Sequence, residues 1–172
     1  MLVRTIALLA ILAGPALAQD YNRADLIRGL CQKDGCDEFS VARVETVTRT
    51  GEGVLNRTRV KTFHASYQGR SEGPEESGYV FCSATRPAIL SEQGGRTTAL
   101  MIAPFASQDS RETIRKNANF VALYFSICHG AEAGKAAVRD LRGTAQSFGY
   151  HVAAAQSQFV QLKRAEDILH RD

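Results

Sequence analysis

Four cysteines and four histidines are the first candidates for chemistry in this chain. Zinc sites usually bring their ligands in close pairs such as C-x2-C. Here the close cysteine pair is Cys31-x4-Cys36, while Cys128 and His129 are neighbours whose side chains diverge on a helix. Neither the C-x-x-C of a thioredoxin-like site nor the C-x-x-C-H of a haem attachment occurs, so the sequence implies no metal and no cofactor. Ala145-Gln146-Ser147-Phe148-Gly149 approaches the nucleophile-elbow pattern but lacks its first glycine and falls at a helix end. His64 is the remaining candidate. Its alternation places it with Val60 and Thr62, and an unperturbed imidazole titrates near neutrality, as a general base requires. Asp34, Asp37 and Glu38 are the carboxylates that a hairpin could bring to it. The competing reading is a hydrogen-bonded structural histidine, and it is the favoured one.

A second candidate is a row of cations on one strand face. Val41 to Thr50 and Val54 to Tyr67 flank Gly51-Glu52-Gly53, a glycine-rich hairpin connection. Pairing Thr50 with Val54 sets Val44 opposite Val60 and Ala42 opposite Thr62. The other face then carries Arg43 opposite Lys61, Glu45 opposite Arg59 and Val47 opposite Arg57, with Arg49 near the turn. Arg43, Arg57, Arg59 and Lys61 would offer an anionic ligand a shared positive field. The competing reading is a solvated face partly neutralised by Glu45. Nucleic acid is not the expected partner, because only Phe63 and Tyr67, at one end, could stack on bases.

The elements that must position these groups begin with a leader. Met1 to Arg4 starts with a positive charge, Thr5 to Ala13 is apolar, and Ala16-Leu17-Ala18 precedes Gln19, the pattern of a secretory signal peptide over 1–18. That run is shorter than the roughly 20 apolar residues a membrane span needs. Removing residues 1–18 from the 172-residue chain leaves 154, expected to form a single globular domain over 19–172. The formal charge is +3, and Arg4 is the leader's one charged residue, so the remainder carries +2. An even cysteine count in an exported chain reads as a disulfide framework.

Asn22 to Cys31 is predicted to be a short helix, with Leu26, Ile27, Leu30 and Cys31 on one face. Polar, glycine- and proline-bearing Gln68 to Ser77 is predicted to be a loop. Strands are predicted at Gly78 to Ala84, Ala88 to Ser91 and Thr97 to Ala103, the last two joined across Gly94-Gly95. One helix is predicted from Asp109 or Ser110 to Cys128, and a second over Glu132 to Ser147. Phe159-Val160-Gln161-Leu162 reads as a strand, with helix over 152–163 as the alternative. Cys128 lies on the buried seam of its helix and Cys82 alternates with Val80 and Ala84, which points to a Cys82–Cys128 bridge and a local Cys31–Cys36 bridge.

The fold expected from these elements is α+β: an N-terminal helix, an antiparallel sheet of about five strands, and two helices on one face, reinforced by disulfides. The expected function is that of an exported, soluble, monomeric, non-catalytic binding or accessory protein of the bacterial envelope, periplasmic or secreted. It would recognise an anionic ligand or an acidic envelope protein through the basic face. The alternative is a small periplasmic hydrolase using His64.

Overall fold

A computed structural model describes residues 23–170. The predicted signal peptide, its cut before Gln19 and the Asn22 cap lie outside the described residues. The chain builds a seven-stranded antiparallel meander in which each strand pairs with the next. The strands are β1 (Ile27–Gln32), β2 (Gly35–Thr50), β3 (Gly53–Ser66), β4 (Gly69–Cys82), β5 (Ala88–Gln93), β6 (Arg96–Met101) and β7 (Gln158–Leu162). Between β6 and β7 come helices α1 (Arg111–Lys116), α2 (Ala118–His129), α3 (Ala131–Arg139) and α4 (Leu141–Ser147). Short 3-10 helices occur at Arg23–Asp25 and Ala165–His170. This corrects the expectation of an N-terminal helix, about five strands and two helices, and leaves α+β only as a loose description. No helix among the described residues is long and apolar enough to cross a membrane.

The predicted first helix is replaced by strand β1 because its apolar residues find partners across a hairpin. Ile27 pairs with Phe39, and Cys31 with Cys36. Gly29 is a poor helix residue, and its missing Cβ admits Asn119 of α2, whose Oδ1 would lie 1.9 Å from that atom. The ladder slips between Arg28 and Cys31, which frees the Leu30 N–H to donate to Asn119 Oδ1.

The predicted loop over Gln68 to Ser77 is corrected too. Strand β4 runs through most of it against β3, with a bulge between the pairs Lys61–Glu75 and Phe63–Glu72. Pro74 sits at that bulge, and β5 covers only Tyr79 to Phe81 of β4's other side. An edge and a bulge are the places where a strand accepts proline.

The β2–β3 turn is tighter than expected, since Thr50 pairs with Gly53, and bulges fall between Val41 and Arg43 and between Thr46 and Thr48. Arg43 therefore faces Arg59, Glu45 faces Arg57 and Val44 faces Thr58, where the sequence register had Lys61, Arg59 and Val60. Both predicted helices are broken by capping residues. Asn117 ends α1, and the Asp140 carboxylate accepts the Gly143 N–H at the start of α4.

The sheet is packed on both sides. On the helix side Val80, Ile89 and Leu100 lie beneath Val121, Tyr124 and Phe125 of α2, with Ala137 and Ala145 from α3 and α4. On the outer side Leu55, Phe81 and Leu90 pack against Ala165 and Ile168 of the C-terminal turn. Cys82 of β4 and Cys128 of α2 lie at disulfide distance, with Cα atoms 5.6 Å apart, and Cys31 and Cys36 do so across the first hairpin. Beside the first of these, the Tyr124 hydroxyl donates to the Ser83 carbonyl and accepts its N–H, each at 3.2 Å.

Replacing Cys82 and Cys128 by alanine opens a link of sequence separation 46. It should lower the unfolding free energy by about 4 kcal/mol on the loop-entropy estimate, against about 2 kcal/mol for the local Cys31–Cys36 pair. Urea midpoints of the two double variants measure the order.

Candidate functional site

Strand alternation decides which groups meet on the outer side of the β2–β4 arms. Leu55 is buried there, so Arg57, Arg59 and Lys61 project on the same side, while Asn56, Thr58 and Val60 turn toward the helices. Bulging at Ala42 brings Arg43 and Glu45 of β2 to that outer side. Arg43, Arg57 and Arg59 line an open groove of about 610 Å³ together with Glu45, Glu75 and Ser77. Lys61 shares the face but does not line the groove; its cross-strand neighbour is Glu75. Arg43 pairs with Glu45, and Arg59 with Glu75. The Arg57 side chain makes no hydrogen bond or ion pair among the described residues, so it is the guanidinium left for an incoming anion. Glu75 escaped the sequence reading because its segment carries the composition of a loop.

His64 lies on the opposite side, in a cleft of about 430 Å³ between the sheet and α2. The β2–β3 ladder sets it directly opposite Asp37. His64 Nδ1 lies 3.3 Å from Asp37 Oδ1, and Nε2 lies 3.3 Å from the Asp34 carbonyl. The other Asp37 oxygen accepts Asn119 Nδ2 at 3.1 Å. The Asp37 carboxylate, and then the Asp34 carbonyl, raise the His64 pKa above its ordinary value. Two acceptors facing two ring nitrogens stabilise the imidazolium, which donates to both. A general base needs a free nitrogen aimed at substrate, and this ring has both occupied. Ser71, across the ladder, donates its hydroxyl to the His64 carbonyl at 3.4 Å, not to the ring.

Glu38, the third carboxylate offered to His64, belongs instead to a separate cluster with Arg28 and Arg70. Glu38 is only 4% exposed, yet it is charged and held by two arginines. Its Oε1 accepts Arg28 Nε at 3.1 Å and Nη2 at 2.9 Å, and its Oε2 accepts Arg70 Nε at 2.7 Å. Burial pushes the carboxyl pKa up, but the Arg70 and Arg28 guanidiniums outweigh it and hold the value below the ordinary carboxylate range. Strands β1, β2 and β4 are thereby tied at one point. The pairing of Arg28 with Glu38 follows from turning the chain at Gly35; the arrival of Arg70 requires β4 to be a strand.

Ser147, the residue of the incomplete elbow, spends its hydroxyl on the Thr144 carbonyl at 2.8 Å. Among the described residues no three His, Cys, Asp or Glu side chains converge to hold a metal ion.

These assignments have measurable consequences. A raised folded-state pKa means that the His64 contribution is complete below the unfolded value near 6.5 and lost as pH rises through the folded value. Wild type should therefore be more stable than His64→Gln at pH 5.5, and the gap should close by about pH 8.5 in urea titrations. Glu38→Ala should lower stability by about 2 kcal/mol at pH 7, less than a fully enclosed pair would, because Arg28 is largely solvated. The depressed Glu38 pKa reverses the pH trend: its contribution is present above the unfolded value near 4.5 and fades as pH falls through the folded one.

No protein-family model, no curated protein and no solved structure matches the chain, so the reading of these sites rests on their own groups.

Proposed function

We propose that this chain is an exported, monomeric, non-catalytic binding or accessory protein. It recognises an anionic ligand or the acidic surface of an envelope protein through the groove on the outer side of β2–β4. The observation that carries the reading is Arg57, an exposed guanidinium without an ion pair among the described residues, flanked in one groove by Arg43 and Arg59. A planar fork is suited to bidentate recognition of carboxylate or phosphate. Neighbouring pairs with Glu45 and Glu75 fix the side guanidiniums and reduce non-specific attraction, leaving a local excess of one positive charge. The two disulfide-distance cysteine pairs are compatible with an oxidising compartment, as is the leader-like start of the sequence.

A hydrolase built on His64 has less support. Its imidazole sits between two acceptors, and no hydroxyl among the described residues engages either ring nitrogen. Holding a proton is the role this geometry favours.

Arg57→Glu tests the groove. On a heparin column at low ionic strength the wild type should be retained and released by salt, and the variant should pass through with an unchanged thermal midpoint. An acidic envelope protein captured by the wild type should likewise be lost with Arg57→Glu. Equal retention of the two proteins, or retention insensitive to salt, would refute the groove as the binding surface.

A further inference from the structure

A different cleft opens where β1, α1, α2 and α3 meet, with a volume of about 370 Å³. Its wall is mostly hydrocarbon, supplied by Leu30, Val121, Val138 and Leu141. Ile114, which also lines it, is 52% exposed, a large apolar surface left in water on a short helix. Two cations, Arg115 and Arg139, line the same cleft, and both are exposed. Neither guanidinium makes a hydrogen bond or ion pair among the described residues, although Arg115 lies within electrostatic reach of Glu112 and Arg139 of Glu132. The carboxylate present, Asp109, accepts the Ser157 N–H at 3.0 Å through one oxygen. Glu112, the acidic residue of α1, is paired with Lys116.

We propose that this cleft binds a single-chain carboxylate with an apolar body, of the fatty-acid type. Three independent features converge on that chemistry. The volume falls within the range of small-molecule sites, which are concave and mainly apolar with few polar anchors. The exposed Ile114 and the hydrocarbon wall favour an alkyl body, which removes apolar surface from water on both partners. Two guanidiniums against one engaged carboxylate favour a negative headgroup and disfavour an ammonium one.

The site is separate from the β2–β4 groove: α1, α2, α3 and β1 carry it, and none of its residues is shared with Arg43, Arg57 or Arg59. It also explains a feature that the fold leaves open. Ile114 belongs to a six-residue helix that packs only lightly on its neighbours, and a bound chain would complete its apolar contacts.

Titration calorimetry on the full chain with both disulfides formed tests the proposal, using dodecanoate below its micelle concentration. Saturable binding of one dodecanoate per chain is expected. Dodecylammonium should bind at least tenfold more weakly. Arg115→Gln with Arg139→Gln should weaken dodecanoate at least tenfold, and Val138→Trp should weaken it by filling the cleft with every charge retained. Arg57→Glu should bind dodecanoate like the wild type, which separates this site from the groove. The proposal is overturned if dodecanoate does not saturate, if dodecylammonium binds equally well, or if the double arginine variant is unaffected. Loss of binding in Arg57→Glu would also overturn it, by moving the ligand to the other face. Association with phosphatidylglycerol vesicles without binding of monomeric dodecanoate would reassign the arginines to a membrane surface.

Discussion

Helix α2 is fastened to strand β4 twice at nearly the same place, and much of the molecule is arranged around that attachment. The Cys82–Cys128 pair joins the C-terminal turn of the helix to the end of the strand. One turn earlier, Tyr124 grips both backbone groups of Ser83. With that end held, the N-terminal half of α2 is directed over the first hairpin, where Asn119 reaches the Leu30 N–H and the Asp37 carboxylate. Ala122 joins Ile27, Phe39 and Val60 in a small apolar cluster beneath it. The helix thus connects the covalent clamp to the His64 region and forms one wall of the cleft lined by Arg115 and Arg139. Gly134 lets α3 lie close against it, since a Cβ there would stand 2.6 Å from the Ala122 carbonyl.

Strand β3 separates two environments by alternation alone. Its even-numbered residues from Asn56 to His64 face the helices, and its odd-numbered residues from Leu55 to Lys61 face outward. The consequence is electrostatic as well as steric. A histidine held by acceptors occupies one side, and arginines only partly neutralised by glutamates occupy the other. Pairing with the partner strands shifts at the Val41–Arg43 and Lys61–Phe63 steps, and the first shift is what turns Arg43 and Glu45 to the outer side.

How much of this could be read from residues alone depended on whether the signal was local. Gly94-Gly95 marked its turn because both glycines adopt positive φ, 59° and 74°, as a two-residue hairpin turn requires. Alternation along Val60, Thr62 and His64 was equally local, and the placement of Arg43, Arg57, Arg59 and Lys61 on one face survived the shift in register. Leu26, Ile27, Leu30 and Cys31 were misleading because their spacing fits a helical face and not strand alternation, and pairing of Ile27 with Phe39 and of Cys31 with Cys36 overrode that pattern. The β4 arm was hidden for another reason. Glycine, proline and glutamate there describe an exposed edge strand as well as they describe a loop, so Glu75 and Arg70 could not be assigned to their partners. Asn117 and Asp140 looked compatible with continuous helices, but each is a residue whose side chain or backbone competes well as a cap.

The meander order has a consequence for how the chain assembles. Four of its strand connections are two-residue turns, at 33–34, 51–52, 67–68 and 94–95, and β4 reaches β5 across 83–87. Each of these ladders closes a short loop, so β1 through β6 can zip in sequence with little entropic delay. The last ladder is different in kind, because β7 meets β6 only after the excursion from Met101 to Gln158. In the folded chain the four helices bring those ends together, and the Cys82–Cys128 link shortens the covalent path between them. On loop length alone, β7 is expected to pair last and so to seal the edge of the sheet.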